Sequence, residues 1–342
     1  MTTATTTAPA AASVTAWYDA PSHAAGAALA AAVAGDVDVR ASGVRVWADD
    51  PAVAEAARKL GLTRGELQTL DVVIEAADPV AVQAFWDGVL GEDTLRRHPT
   101  FSVRRLDEPR PLRNRIHVDV VRPEEQVVQA RAGREPSGPF GVMLADSEGN
   151  EVDLVPGELL AGTTDWYALF SAMVFYPNAP ARFVIAVAEL ADDAGIPLQL
   201  DVRHEGVTIA SAKDAWEDEH GGADPRFVAL AQQIEGAAKD FGLEADPAPL
   251  RFVQFGIDAL DIPAVRTFWT ELLGYEEDPR PGVNDIHDPR GLNPVLFFQQ
   301  LEQPRSQRNR IHFELTGENV GLVSDPEGNE VLIRTRKTCP ST

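Results

Sequence analysis

A chain of 342 residues, 44% hydrophobic and 24% charged, is long enough for more than one core and has the composition of a folded globular protein. Its formal net charge of −23 argues against nucleic acid or an anionic membrane as partner, because phosphate contacts need clustered Lys and Arg. The single cysteine, Cys339, excludes an internal disulfide framework, fits a reducing cytoplasm and is expected in a frayed tail.

Residues 1–13 are Thr, Ala and Pro without a basic or apolar segment, which predicts a disordered leader and no signal peptide. No later window approaches the run of about 18 apolar residues that spans a bilayer. Residues 14–62 offer an Ala-rich helix from His23 to Val33, strands Val37–Arg40 and Gly43–Val46, and a second helix from Pro51 to Leu60. From 67 to 156 come a strand at Leu70–Glu75, a helix from Val80 to Leu90 closed by Gly91, a strand at Phe101–Leu106, and Ile116–Val121. A polar helix from Pro123 to about Ala132 and strands Gly141–Ala145 and Glu151–Val155 complete that stretch.

Residues 165–243 repeat the first pattern more fully. Trp166-Tyr167 echoes Trp17-Tyr18, Asp201-Val202-Arg203 echoes Asp38-Val39-Arg40, and long helices are expected at Ala179–Asp193 and Pro225–Phe241. Residues 250–336 repeat the second: strand Arg251–Ile257, helix Pro263–Leu273, strands near Asp285 and over Pro294–Gln300, then Ile311–Leu315. Arg113-Asn114-Arg115-Ile116-His117 returns as Arg308-Asn309-Arg310-Ile311-His312, and the turn Glu148-Gly149-Asn150-Glu151 as Glu327-Gly328-Asn329-Glu330. The chain reads as an internal duplication of a two-part unit, with the segment between Leu315 and Asn329 too short for a helix.

The β-α-β-β order, the Phe-Trp helix ending in Leu-Gly, the Arg-Ile-His strand and the Glu-Gly-Asn-Glu turn resemble glyoxalase-like proteins of the vicinal oxygen chelate superfamily. The likeness covers 67–156 and 250–336. The units at 14–62 and 165–243 resemble pterin-4a-carbinolamine dehydratase in their helix, strand, strand, helix order, without its His-His-Pro; Ala194-Gly195-Ile196-Pro197 stands there instead. The expected fold class is therefore α+β: two glyoxalase-like βαβββ-type domains, each preceded by a small dehydratase-like α+β unit.

Alternation along a strand puts Asp71, Val73 and Glu75 on one face, His117 and Asp119 on one face, and Glu151, Asp153 and Val155 on one face. The resemblance implies that this polar face rolls into a cup and holds a divalent metal, with Asp71, His117 and Asp153 as ligands in the first copy and Arg104 or Arg105 at the fourth position. The solvated face of an antiparallel sheet is the plainer alternative. The second copy gives Gln254, Gln299 or Gln300, His312 and Leu332 at those positions, a metal-free cup in which Asp258, His312, Glu314 and Glu330 remain to bind a polar small molecule; over both copies the candidate ligand-binding residues are Glu75, Gln254, Asp258, Gln299, His312, Glu314 and Glu330. Candidate catalytic residues are His117, Asp119 and Glu151. The repeated Arg-Asn-Arg either pairs with the acidic turns or gates an anion, and Trp86 and Trp269 are expected in the core.

The implied activity is that of a lyase, isomerase or cyclase on a polar small metabolite, as in specialised metabolism. A sequestering protein without catalysis is the alternative, and a pterin dehydratase is disfavoured by the missing histidines. A monomer or homodimer in the cytoplasm, partnered by a small molecule, is expected.

Overall fold

The computed structural model describes residues 15–33, 35–47, 50–91, 99–106, 108–317 and 319–335. The expected leader at 1–13 and Cys339 lie outside the described residues. None of the described helices is long and apolar enough to cross a membrane.

The first stretch holds β1 (Ala16–Asp19), α1 (His23–Ala32), β2 (Val37–Arg40), β3 (Gly43–Val46), α2 (Pro51–Lys59) and β4 (Thr63–Gly65). The second holds β5 (Leu70–Ala76), α3 (Pro79–Leu90), β6 (Phe101–Arg105), β7 (Ile116–Pro123), α4 (Glu124–Arg131), β8 (Met143–Ala145) and β9 (Glu151–Leu159). The third holds β10 (Tyr167–Leu169), β11 (Ser171–Pro177), α5 (Ala181–Ala194), β12 (Gln199–Arg203), β13 (Gly206–Ala210) and α6 (Pro225–Asp240). The fourth holds β14 (Phe252–Ala259), α7 (Ile262–Leu273), β15 (Glu276–Glu277), β16 (Ile286–His287), β17 (Val295–Gln300), β18 (Ile311–Thr316), β19 (Gly321–Ser324) and β20 (Glu330–Arg334).

Each expected helix forms, with ends shifted by a residue or two. Asp78 and Asp261 cap α3 and α7 by accepting from the amides of Ala81 and Ala264 at 3.2 and 3.1 Å. Strands β1 and β11 have no counterpart in the sequence, because most of their residues are buried and an apolar strand shows no alternation, and β10, three residues long, is too short to show one.

Strand pairing corrects the expectation of one cup per copy. Strand β14 lies antiparallel to β7, with Gly256 opposite His117, and β7 lies parallel to β9, with Asp119 opposite Asp153. In the other sheet β18 lies antiparallel to β5, with Glu314 opposite Asp71, and parallel to β20, while β5 lies parallel to β6. Each concave wall thus takes its first half from one copy and its second half from the other. Register follows the buried face of a strand, and the two copies share that pattern, so either copy's edge satisfies the other.

The aliphatic faces of both sheets and the inner faces of α3 and α7 form one core. Phe255 and Phe313 meet edge to face at 5.2 Å, Trp269 meets Phe313 at 5.4 Å, and Trp86 stacks on Phe101 at 6.0 Å. Each ring so buried contributes about 2–3 kcal/mol. Both tryptophans are core residues, and their indole nitrogens donate to Asp146 and Asp325 at 3.1 and 3.0 Å.

The same two aspartates fold the Gly-Asn turns, and the Arg-Asn-Arg segments clasp them crosswise. Arg115 donates from Nε to Asn329 at 2.9 Å and from Nη2 to the Gly328 carbonyl at 3.0 Å, while Arg310 donates to Asn150 at 2.8 Å and to the Gly149 carbonyl at 3.1 Å. The arginine of one copy therefore braces the turn of the other. Pairing with the turns is the role these segments take, through carbonyl and amide oxygens more than through the acidic side chains.

Strand β9 continues into β10, so the larger sheet runs on through β11, β13, β12, β2, β3, β1 and β4. Helices α1, α5 and α6 pack on one face of this extension, around Trp166, Phe183 and Phe227. His23, 3% exposed, joins α1 to α5 by its Nδ1 contact with Asp192 at 2.7 Å.

Candidate functional site

The first bowl is formed by β7, β8, β9 and β14 to β17. Alternation on β7 aims His117 and Asp119 into it, β9 adds Glu151 and Asp153, and β14 adds Gln254 and Asp258. One ligand atom from each of His117, Asp119 and Asp153 falls within 4.8 Å of the others. His117 Nε2 lies 3.7 Å from Asp119 Oδ1, and its Nδ1 lies 3.9 Å from Asp258 Oδ1. Gln254 donates from Nε2 to Asp119 Oδ2 at 2.9 Å and fixes that carboxylate from beneath.

Burial decides the electrostatics here. Asp119 is 7% exposed, and burial pushes its carboxyl up to about 6, with the nearby His117 and the Gln254 hydrogen bond only partly opposing the rise. Burial also raises Asp153, and Glu151 adds to it against His117 and Arg113. Asp119 Oδ1 and Gln254 Oε1 are buried without a hydrogen-bond partner. A solvated sheet face does not leave such oxygens orphaned, since each costs about 1–3 kcal/mol. One imidazole nitrogen and two carboxylates within ligand distance suit Mn, Fe, Ni or Zn, so the residues present fit a divalent metal.

Other side chains of the bowl are committed. Glu151 pairs with Arg113 at 2.6 Å, and Asp258 pairs with Arg305 at 2.7 Å. Gln299, next to Asp258 across the ladder, is exposed at the rim. Phe297 stands edge-on to His117 at 5.5 Å. Gly256 lets the imidazole lie over the strand: a Cβ there would meet His117 Cε1 at 2.1 Å. Lys213, from the loop after β13, reaches over Phe297 at 5.8 Å and pairs with Asp285.

The second bowl, from β5, β6, β18, β19 and β20, is built otherwise. Glu75 pairs with Arg110, Glu314 with Arg104 and Arg334, and Glu330 with Arg308 at 2.6 Å. His312 is 7% exposed, and burial lowers its pKa, so the ring is held neutral. Leu332 occupies the remaining position.

Two corrections follow for the residues expected to bind metal. Asp71 belongs to the second bowl, where it accepts from the Thr100 hydroxyl at 2.6 Å, and it does not join His117 and Asp153. Its place is taken by Asp119, expected as a catalytic residue. Gln254, Asp258 and Gln299 belong with His117 in the first bowl, while Glu75 joins His312, Glu314 and Glu330 in the second. Of the residues the sequence reading omitted, Gly256 carried a signal as a lone glycine within a strand, whereas Phe297, Arg305 and Lys213 carried none.

The residues directly after α5 include no histidine; Gly195 closes that helix with φ +64°. The side chains of His204 and His220 are 77% and 78% exposed, as expected of surface histidines.

Residues 71–155 and 254–323 match the family model of the glyoxalase-like domain. In these two segments the chain is similar to a glyoxalase-like domain. No curated protein matches it.

Proposed function

We infer that the chain is a divalent-metal-dependent enzyme of the vicinal oxygen chelate type, a lyase or isomerase acting on a polar small molecule at the first bowl. The observation that carries this reading is Asp119 Oδ1, buried without a partner beside His117 and Asp153. Those three side chains would hold the metal, and Gln254 orients Asp119. When bound, the metal polarises neighbouring oxygens of the substrate and stabilises the negative charge that develops on them.

Glu151 and Asp258 flank the ligand set, each closed into an ion pair by its arginine, and these pairs shape the rim against which a polar substrate lies. Phe297 gives the bowl an apolar wall that limits how a substrate lies against His117. The second bowl, with each of Glu75, Glu314 and Glu330 paired to arginine, serves as structural support.

A sequestering role is favoured instead by that aromatic wall, which holds a planar ligand without turning it over. The two readings separate in one experiment. Elemental analysis of the purified chain is expected to find one divalent metal per chain, lost in Asp119→Ala; absence of metal from the wild type after reconstitution overturns the enzyme reading. The recurrence of the helix caps, the indole–aspartate contacts and the arginine clasps in both halves supports a duplication. The strand and helix order of 14–62 and 165–243, joined through β2 and β12, supports a degenerate dehydratase-like pair.

A further inference from the structure

Outside the bowls, a cavity of about 240 Å³ lies between the open face of the extended sheet and the loop before β17. Alternation again sets its chemistry. Arg45 lies opposite Asp38, and Asp38 lies opposite Asp201, so Arg45, Arg40, Asp201, Arg203 and Thr208 share the face that α1, α5 and α6 leave uncovered.

The wall of this cavity carries Arg40, Arg45, Arg203, Lys213 and Arg251 against Asp201 and Asp288, in a chain whose net charge is −23. The acidic groups are already engaged, Asp201 within the wall itself. Asp288 accepts from the amides of Arg290, Leu292 and Asn293, and Asp201 pairs with Arg40 at 2.8 Å. Burial alone would raise Asp38, which is 0% exposed; the guanidiniums of Arg203, Arg45 and Arg40 overcome it and hold that carboxyl well below the usual carboxylate range.

Arg45 is the telling group. It is 3% exposed, lines the cavity, spends Nε on Asp38, stacks over Trp47 at 4.6 Å, and leaves Nη1 buried with no hydrogen-bond partner. A buried guanidinium nitrogen left unsatisfied is costly, and a planar carboxylate is its best-matched acceptor. Met173, Phe252, Leu292 and Val295 line the same space and suit a small apolar body.

We propose that this cavity between the sheet extension and the glyoxalase-like part is a binding site for a small organic carboxylate, its carboxylate on Arg45 and its apolar body against Met173 and Phe252. The site is separate from the metal ligands and does not rest on them.

Isothermal titration of the full chain with benzoate tests this, with benzyl alcohol as the uncharged control and inorganic phosphate as the second anion. One-to-one binding of benzoate is expected, without binding of benzyl alcohol. Arg45→Gln is expected to weaken benzoate by about tenfold or more, the loss of a charge-assisted hydrogen bond. Because Arg45 also supports Asp38, Ala212→Trp, at the mouth and away from that network, is the second variant and is expected to weaken benzoate comparably. No benzoate binding by the wild type, equal binding of benzyl alcohol, phosphate binding in its stead, or benzoate affinity unchanged in both variants overturns the proposal.

Discussion

The two bowls start from nearly the same strands and end with opposite chemistry. In the first, a histidine and two aspartates face one another with oxygens left over; in the second, Arg104, Arg110, Arg308 and Arg334 cross to the glutamates and consume them. The difference lies less in how many acids each holds than in what answers them. An arginine opposite a carboxylate makes a closed pair, whereas a neutral amide such as Gln254 fixes a carboxylate and leaves an oxygen free for a cation.

The sharpest way to break this contrast is to remove one histidine at a time. His117→Ala is expected to abolish metal binding, about a thousandfold or more in affinity for a lost direct ligand, while His312→Ala leaves the metal content of the chain unchanged; elemental analysis after dialysis reads both. Equal loss in the two variants would mean that the bowls are not distinct. The clasps, in contrast, should behave alike. Arg310, 1% exposed, and Arg115, 3% exposed, each anchor a turn through several hydrogen bonds. Either arginine changed to Ala is expected to cost about 3 kcal/mol or more in urea unfolding.

Titration distinguishes the bowls next. The folded carboxyl of Asp119 sits at about 6, above its ordinary 3.8, so the folded metal-free protein binds the extra proton between those values. Stability from this group is therefore lost as pH rises from about 4 to 6, on the order of 3 kcal/mol across two pKa units. Unfolding in the presence of a chelator should show that slope in the wild type and not in Asp119→Asn.

Gly256→Ala tests how closely His117 packs. The added methyl displaces the ring, and metal affinity is expected to fall about 10- to 100-fold, as when a ligand loses its orientation. The smallest effect is expected in the second bowl: Arg104, whose side chain is 41% exposed, contributes to an ion pair that solvent screens. Arg104→Ala should change stability by about 1 kcal/mol or less.

Much of this was legible in the sequence, and the reason for the rest is specific. Helices announced themselves through Asp-Pro starts and Gly ends, and alternation gave the polar faces of β7 and β9, with His117 and Asp119 on one and Asp153 on the other. Asp71 was misassigned because alternation fixes which side of a strand a residue faces and is silent on which strand lies beside it. Two copies with the same pattern offer two equally good neighbours. Lys213 and Arg305 were invisible for a related reason: each comes from a loop far along the chain, and nothing local marks where a loop comes to rest.

The exchange of halves has a consequence for how the gene can be cut. Neither glyoxalase-like copy holds a whole metal pocket, since His117 and Asp153 need the floor that β14 provides. A fragment ending near residue 245 should leave β7 with a bare hydrogen-bonding edge, and two fragments made in one cell should find each other along it. Inheritance follows the same rule: each copy supplies half of both pockets, so the history of neither pocket is confined to one copy.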